Sequence, residues 1–295
     1  MLSFLPELIR GILSLFMYFI NTVFVAIQLI PLVLLKLIIP VNSWRNFINK
    51  AMNGVAENWV YLSDLNLRFV NKINWDVSGI EDLDANEWYL VIANHQSWVD
   101  ILILLNIFHR KIPFLKFFTK KELLWVPIVG LACWALDFPI MRRYSEEFLQ
   151  KNPHLRGKDI EITRKACEKF KMTPVSIMNF IEGTRFTSEK HRKQQSPYTN
   201  LLKPKAGGIA FVLASIGEQL NRILDVTIVY PQGENSFWAF LCGRISEIKV
   251  RVQSFPINKE IIGDYSQDIE FREKFQSWLN SLWTEKEKCI NDLLN

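Results

Sequence analysis

Cysteine motifs are absent from this sequence. The four cysteines, Cys133, Cys167, Cys242 and Cys289, are far apart, with no Cys-x-x-Cys pair and no histidine partner close by in the chain. This spacing argues against a disulfide framework and against a zinc site. Free thiols persist in a reducing compartment, so the pattern favours the cytosol.

Internal repeats, low-complexity tracts and a Pro/Gly-rich linker are also absent. The 295 residues, 49% of them hydrophobic, suffice for one sizeable domain plus a membrane segment, and length alone also allows two domains. A net charge of +5 accompanies 10 Trp and 21 Phe, which fits contact with an apolar phase and anionic head groups or simply a solvated basic surface. No nucleic-acid recognition motif accompanies the charge, so we expect no nucleic-acid partner.

A long apolar run lies near the N-terminus. Residues 11–35 carry no charge and are flanked by Arg10 and Lys36, and about 20 apolar residues cross a bilayer core. The run is too long for a signal-peptide core, and no small-residue cleavage site follows it. Three residues suit a kinked span or a re-entrant pair of shorter helices as well as a straight span: Asn21, Gln28 and Pro31. A buried helix of a soluble protein is the remaining alternative.

The charge bias around this run predicts its orientation. Lys36, Arg45 and Lys50 follow the run while only Arg10 precedes it, which puts the following domain on the cytoplasmic side. Aromatic residues set among polar ones over 41–72 fit either interfacial helices or ordinary half-buried helices. We therefore predict a membrane anchor with interfacial helices over residues 1–72 and a second domain over residues 73–295.

The rest of the chain is organised around the stretch from Tyr89 to Asp100. Residues 89–93 form a short, β-rich apolar run, which predicts a buried strand of an α/β sheet, although the period alone also fits a buried helix. His95 then follows the carboxyl end of that strand. Ligands bind at this end in open α/β sheets.

Asp100 falls in the first turn of a predicted helix over residues 98–108, for which Ser97 is a suitable cap. The carboxylate could meet the imidazole of His95, fix its tautomer and leave the other ring nitrogen free to take a proton from a hydroxyl. Alternatively, His95 ties a loop to the backbone and Asp100 only favours a helix N-terminus. Spacing alone leaves both interpretations open.

Two further stretches of the chain carry basic residues. An apolar stretch ends in Arg142 and Arg143, and paired guanidinium hydrogen bonds suit a phosphate, although surface ion pairs fit too. Residues 201–208 carry Lys203 and Lys205, which add charge at such a site or belong to a solvated loop.

Residues 174–181 form another predicted strand, which runs directly into Glu182-Gly183-Thr184-Arg185. Gly183 allows a tight turn, Arg185 offers an anion clamp, and Glu182 could orient an arginine or hold a hydroxyl. A turn with a surface ion pair is the alternative.

The ordered set of motifs resembles a known family. Asn-His-Gln-Ser-Trp-Val-Asp, at residues 94–100, is similar to the His-x4-Asp motif of the glycerolipid acyltransferase superfamily, the lysophosphatidic acid acyltransferases and their relatives. Residues 137–144 and 180–187 resemble its second and third motifs. Residues 201–208 resemble a block of the branch that holds many eukaryotic lysophospholipid acyltransferases and bacterial inner-membrane homologues. Residues 225–231 resemble the fourth motif, with Thr-Ile-Val-Tyr-Pro in place of the more common apolar-Pro-apolar form, and the matches span about residues 89–232.

The resemblance implies an α/β fold with a mixed central sheet flanked by helices, preceded by an N-terminal membrane-embedded helical segment. It implies His95 as general base and Asp100 as the residue that orients it. The implied phosphate-binding residues are Arg142 with Arg143 as the register alternative, Glu182, Gly183, Thr184, Arg185, Lys203 and Lys205. No metal is implied.

The implied reaction moves a fatty acyl group from an acyl thioester, acyl-CoA or acyl-ACP, to the free hydroxyl of 1-acyl-sn-glycerol-3-phosphate and gives phosphatidic acid. The thioester is a co-substrate, and no other cofactor is implied. Membrane lipids and a lysophospholipid acceptor are the expected partners, and the bacterial inner membrane is the expected location. The alternatives are another lysophospholipid acceptor, a membrane-anchored thioesterase or lipid hydrolase, and a noncatalytic lipid-binding protein.

Other stretches carry weaker expectations. The apolar residues 125–136 form a wall for an acyl chain or ordinary core. We predict an amphipathic helix over 158–171, strands within 238–253 and a C-terminal amphipathic helix over 271–294. The absence of a Gly-x-Ser-x-Gly elbow argues against an acyl-enzyme.

Overall fold

The structure, a computed structural model, describes residues 2, 4–39, 41–141, 174–265 and 267–295. The α-helices of these residues, numbered in chain order, are α1 Glu7–Ile38, α2 Asn42–Val70, α3 Val99–Ile107, α4 Val129–Ala135, α5 Ser188–Gln194, α6 Ala206–Ile216, α7 Phe237–Cys242 and α8 Ile269–Leu294. Short 3-10 helices cover Lys121–Trp125 and Lys259–Ile261. The strands are β1 Asn74–Ser78, β2 Tyr89–Ala93, β3 Leu115–Phe117, β4 Thr119–Lys120, β5 Ile140–Met141, β6 Ser176–Phe180, β7 Arg222–Val229 and β8 Glu247–Pro256.

Six strands form one mixed sheet in the order β1-β8-β7-β2-β6-β3. The strands pair in parallel except for β7 and β8, which are antiparallel. Strand β2 is buried along its whole length, because helices cover both faces of a sheet of this kind. The predicted α/β fold with a mixed central sheet and flanking helices is confirmed.

Alternating side chains of β2 build the two halves of the core. Val91 and Ala93 pack on the face that α3 covers, while Leu90 and Ile92 pack on the face that α6 and α8 cover. Helix α8 also brings a lysine into the second layer. Nζ of Lys286 lies 2.7 Å from Oδ1 of Asp225 on β7, and both side chains are buried.

Helices α1 and α2 form an antiparallel hairpin outside this sheet. Asn21 donates to the hydroxyl of Ser63 at 3.1 Å, and Asn66 donates to the carbonyl of Ser14 at 3.1 Å. The first of these bonds helps to explain why a polar residue is tolerated inside the apolar run, since the side-chain NH2 group of Asn21 finds an acceptor on the other helix. The most apolar 18-residue stretch of helix α1 has a mean hydropathy of 2.1, and the helix is long enough to cross a bilayer.

The C-terminal third departs in part from the expectation. Residues 237–242 are helical, and only β8 realises the strands predicted within 238–253. Ser236 caps α7 by accepting from the amide of Ala239 at 3.1 Å, and Gly243 ends it with a φ of +72°. The predicted C-terminal helix is confirmed as α8. The helix predicted over 158–171 lies outside the described residues.

Candidate active site

His95 and Asp100 meet at the carboxyl end of β2. Nδ1 of His95 lies 2.9 Å from Oδ2 of Asp100. The carboxylate can only accept, so Nδ1 carries a proton, and in the neutral ring Nε2 has its lone pair available. Nε2 makes no hydrogen bond within the described part of the chain, and the side chain of His95 is 12% exposed, whereas that of Asp100 is fully buried. The carboxylate therefore orients the imidazole through Nδ1, while Nε2 stays without a hydrogen bond to the described residues.

Four donors surround the carboxylate of Asp100. Oδ2 accepts from His95 and from the backbone amides of Gln96 at 2.7 Å and Ser97 at 2.8 Å. Oδ1 accepts from the phenol of Tyr230 at 2.6 Å. Burial and the neighbouring Asp100 charge raise the pKa of Tyr230 well above its usual value, so the phenol remains a donor. The carboxylate is thus held in one orientation.

Side chains on either side of His95 fix the loop between β2 and α3. Asn94 donates to the carbonyl of Ile228 at 2.9 Å and accepts from its amide at 2.9 Å, which extends the pairing of β2 with β7 past the end of the strand. The hydroxyl of Ser97 accepts from the amide of Val99 at 3.1 Å, as a cap does, and donates to the carbonyl of Asn235. Ser97 is therefore engaged in local structure.

The ring of His95 stacks on the ring of Phe180. Their centroids are 3.8 Å apart and their planes differ by 13°. Phe180 ends β6, and Ala93 on β2 is its partner in the register. Aromatic side chains continue away from the imidazole, with Phe117 at 6.2 Å from Phe180 and Phe138 at 6.4 Å from Phe117. One face of the His95 imidazole is therefore apolar and packed.

The carboxyl of Glu182 joins three segments of the site. Oε1 accepts from the backbone amide of His95 at 2.9 Å, and Oε2 accepts from that of Leu202 at 3.1 Å. The residue is 1% exposed. Burial raises the pKa of Glu182 to about 8, against the opposing effect of the two amide donors. In this arrangement, Glu182 holds the His95 loop and the 201–208 segment together.

The loop after Glu182 turns toward the imidazole. Gly183 adopts a φ of +72°, and the amide of Phe186 donates to the carbonyl of His95 at 2.7 Å. A side chain at position 183 would strain this turn. The turn places Thr184 and Arg185 beside the loop that carries His95.

Arg185 lies over the ring of Trp98, with its guanidinium carbon 4.8 Å from the ring centroid. Both side chains are exposed. Lys190 supports the loop, because its ammonium group donates to the hydroxyl of Thr184 at 2.8 Å and to the carbonyl of Arg185 at 3.0 Å. A cationic group is thus held next to the His-x4-Asp motif, where an anionic substrate could meet it.

Lys203 and Lys205 lie on the segment that Glu182 anchors, and both side chains are exposed. The amide of Lys205 donates to the carbonyl of Ile181 at 2.7 Å, which places its backbone against the end of β6. The amide of Lys203 donates to Gln194 at 3.2 Å. Arg142 and Arg143 lie outside the described residues, so their part in phosphate binding stays a prediction.

Sequence reasoning missed three contributors to the site: Trp98, Phe180 and Tyr230. A signal was available for two of them. Phe180 ends β6 and Tyr230 follows β7, and these strands flank β2. Residues at the carboxyl ends of adjacent parallel strands lie at the same edge of a sheet. The sequence does not show that β6 and β7 are the neighbours of β2, so it does not place these two residues beside His95.

A scan of protein families matches the model described as "Acyltransferase" over residues 74–231. The chain is 25% identical over 259 residues to "Probable 1-acyl-sn-glycerol-3-phosphate acyltransferase 5" from Arabidopsis thaliana, covering 83% of this chain and 64% of that protein. It is 24% identical over 296 residues to "Lysocardiolipin acyltransferase 1" from Gallus gallus, covering 95% of this chain and 72% of that protein. The chain spans between about half and two thirds of the length of several curated relatives that it matches.

Among solved structures, the chain is similar to the 1-acyl-sn-glycerophosphate (LPA) acyltransferase PlsC from Thermotoga maritima, with a TM-score of 0.54 and 19% identity over 94% of this chain and 97% of that one. This likeness concerns the fold. The family model covers more than half of the sequence and contains the His95–Asp100 pair, the loop after β6 and the end of β7. The chain belongs to the acyltransferase family.

Proposed function

We propose that this protein is a membrane-associated O-acyltransferase that transfers a fatty acyl group from an acyl thioester to the free hydroxyl of 1-acyl-sn-glycerol-3-phosphate and forms phosphatidic acid. The observation that carries the proposal is the His95–Asp100 pair, in which Nδ1 is bound to a buried carboxylate and Nε2 is open. The family match and the names of the relatives support the same reaction class.

The chemistry needs one base. Nε2 of His95 accepts the proton of the acceptor hydroxyl while its oxygen attacks the thioester carbonyl carbon and a carbon–oxygen bond forms. The tetrahedral intermediate then collapses, the carbon–sulfur bond breaks, and the leaving thiolate takes the proton from the imidazolium. Asp100 stabilises the imidazolium in between. Since a thioester is already activated, the proposed reaction requires no cofactor besides the acyl donor, acyl-CoA or acyl-ACP.

The acceptor's phosphate is assigned to the cations near the imidazole. Arg185 is held beside Trp98, within the same motif as His95, and its exposed guanidinium can bind two phosphate oxygens. Lys203 and Lys205 add positive charge on the neighbouring segment. Arg142, with Arg143 as the alternative, remains a predicted second arginine that binds the phosphate.

Helix α1 supplies the proposed membrane contact. Near its N-terminus Gly11 packs closely against Cys242 of α7, and near its C-terminus Lys36 binds Asp137 at 2.8 Å. A helix that crossed the bilayer would leave its ends on opposite sides, yet both ends of α1 contact the same domain. We therefore propose that α1 lies along one leaflet with its exposed apolar face in lipid. The bacterial inner membrane and the cytoplasmic side stay predictions from the sequence.

Thiol release from acyl-CoA by the detergent-purified protein tests the proposal. We expect release that depends on lysophosphatidic acid, falls by about 10²- to 10⁴-fold in His95→Ala and persists in His109→Ala, a matched change in the turn that follows α3. Release without an acceptor would instead indicate a hydrolase. Equal activity of wild type and His95→Ala would refute the mechanism. No thiol release from any variant, with either acyl-CoA or acyl-ACP as donor, would refute the proposed reaction.

A panel of acceptors tests the substrate. One relative is named for lysocardiolipin rather than for lysophosphatidic acid, so both belong in the panel together with lysophosphatidylglycerol. A kcat/KM that is highest for lysophosphatidic acid supports the proposed acceptor. A higher kcat/KM for another lysophospholipid would support acyl transfer but identify that lipid as the acceptor.

A further inference from the structure

The segment that joins β4 to β5 is apolar and exposed. Residues 123–136 contain no charged residue, and Trp125 is the most exposed large apolar side chain among the described residues at 82%. Val126, Val129 and Trp134 are also exposed. We call these four residues the tryptophan patch. Large contiguous apolar patches on a protein surface mark sites of contact with a partner or a membrane.

Local backbone geometry turns the patch outward. The amide of Gly130 donates to the carbonyl of Val126 at 2.8 Å, which closes a tight turn between the 3-10 helix and α4. A Cβ at position 130 would lie 2.1 Å from the carbonyl oxygen of Leu124, so only glycine allows this approach. The turn leaves Trp125 and Val126 at its tip.

Helix α4 contains only apolar residues. Ala135 and the following Leu136 pack among Val25, Leu29 and Val33 of α1. Val129 and Trp134 of the same helix are exposed. A helix that is apolar all round is not adapted to face water, and tryptophan is enriched where a protein meets the membrane interface.

The patch is continuous with the surface that we assign to the membrane. Ammonium Nζ of Lys36, in the last turn of α1, donates to the carbonyl of Ala135 at 3.3 Å and to Asp137 at 2.8 Å. These bonds tie the end of α4 to the end of α1. Exposed apolar side chains of α1 extend to that end, as Leu34, Leu37 and Ile38 show. Two apolar surfaces that adjoin in this way are suited to contact the same lipid phase.

We infer that the tryptophan patch is a second lipid-contacting element, which enters the interfacial region of the same leaflet as α1. The inference rests on the proposed membrane contact of α1. The protein then contacts the membrane at two places, along α1 and at the turn that carries Trp125. Strand β4 follows β3 at the carboxyl end of the sheet, the end that carries His95. The second contact therefore brings the active-site end of the domain against the leaflet.

Site-directed fluorescence in vesicles tests the inference. The four native cysteines are replaced by alanine, and single cysteines at Val126, Ile27 and Ser277 carry an environment-sensitive NBD probe. Position 27 reports the exposed face of α1, and exposed position 277 on α8 is the aqueous control. The vesicles contain phosphatidylcholine and phosphatidylglycerol, with doxyl-labelled phosphatidylcholine as quencher.

We expect lipid quenching at position 126 to approach that at position 27 and to exceed that at position 277 several-fold. Quenching at 126 equal to that at 277, with 27 quenched, would overturn the inference and leave the membrane contact of α1 intact. Absence of quenching at 27 would overturn both. A probe at 126 that responds to protein concentration but not to quencher would indicate a second copy of the chain and also overturn the inference.

The unmodified chain provides a second measurement in case the cysteine-free variant does not fold. A photoactivatable phosphatidylcholine is incorporated into the same vesicles, and labelled tryptic peptides are identified by mass spectrometry. We expect label in peptides 11–36 and 122–142, and little in peptide 275–286 of α8. Label in 11–36 alone would overturn the inference.

Discussion

Tyr230 holds Asp100 from the side opposite His95. Its phenol donates to Oδ1 at 2.6 Å, while His95 binds Oδ2 at 2.9 Å. Asp100 is fully buried, so the phenol is the donor that replaces water at Oδ1. Tyr230 acts through Asp100 and is a positioning residue of the proposed mechanism.

Replacing Tyr230 with phenylalanine should change the pH dependence of the reaction. Without its phenol donor, the carboxylate attracts the protonated imidazole more strongly. We expect the acid limb of the kcat/KM profile to move to higher pH and kcat to fall about 10-fold, which corresponds to ~1.4 kcal/mol. The free energy of unfolding should also fall by about 1–3 kcal/mol, because a buried acceptor loses its partner. Steady-state kinetics across pH and thermal unfolding measure these effects.

Tyr198→Phe is the matched control for Tyr230→Phe. Its phenol donates to the carbonyl of Asn280 at 3.3 Å, away from the carboxylate. The control should leave the pH profile in place. A profile of Tyr230→Phe that superimposes on that of wild type would refute the positioning role, whatever the loss of stability.

Phe180→Leu should lower kcat with little change in KM. The ring of Phe180 stacks on His95 at 3.8 Å and restricts the rotation of the imidazole. An aromatic contact of this kind contributes about 0.5–1.5 kcal/mol, so we expect a loss of about 2- to 13-fold in kcat. Phe211→Leu, which removes a ring contact with Tyr265 instead, is the control. Equal kinetic effects of the two changes would argue against a role for the stack.

Arg185→Lys should raise KM for the lysophosphatidic acid acceptor by about 10-fold, since a lysine keeps the charge but loses the paired hydrogen bonds to phosphate. KM for the acyl thioester should change little. Arg192→Lys on α5 is the control, because that side chain is also exposed. An increase of KM for the donor alone would move Arg185 from the acceptor site to the donor site.

Glu182→Gln should flatten the dependence of stability on pH. Burial raises the pKa of Glu182 from 4.5 to about 8, so between these values the folded state holds a proton that the unfolded state has lost. The free energy of unfolding contributed by this carboxyl therefore falls as pH rises from about 4.5 to 8. The difference between the melting temperatures of wild type and variant at pH 5, 6.5 and 8 measures the effect. A difference that is constant across pH would contradict it.

The sequence by itself determined the local elements and the motifs. Strand β2, the helix after it and the C-terminal helix follow from apolar runs and their periods, and the mixed sheet was expected from the resemblance. The His-x4-Asp spacing allows His95 and Asp100 to meet, because a strand end followed by one helical turn can bring these two positions together, and the structure shows that they do. The residues involved are close in the chain, so no distant pairing is needed.

The tertiary structure alone decided the rest of the site. Glu182 binds the amide of His95 from 87 residues away, Tyr230 binds Asp100 from 130 residues away, and Phe180 comes from β6. Which strands flank β2 is a long-range choice that depends on packing of the whole sheet, and a local pattern does not contain it. The same holds for Asn21, a polar residue in an apolar run, because only the tertiary structure shows its partner on α2. Chain-local spacing made the His95–Asp100 pair possible, and long-range packing decided what holds it in place.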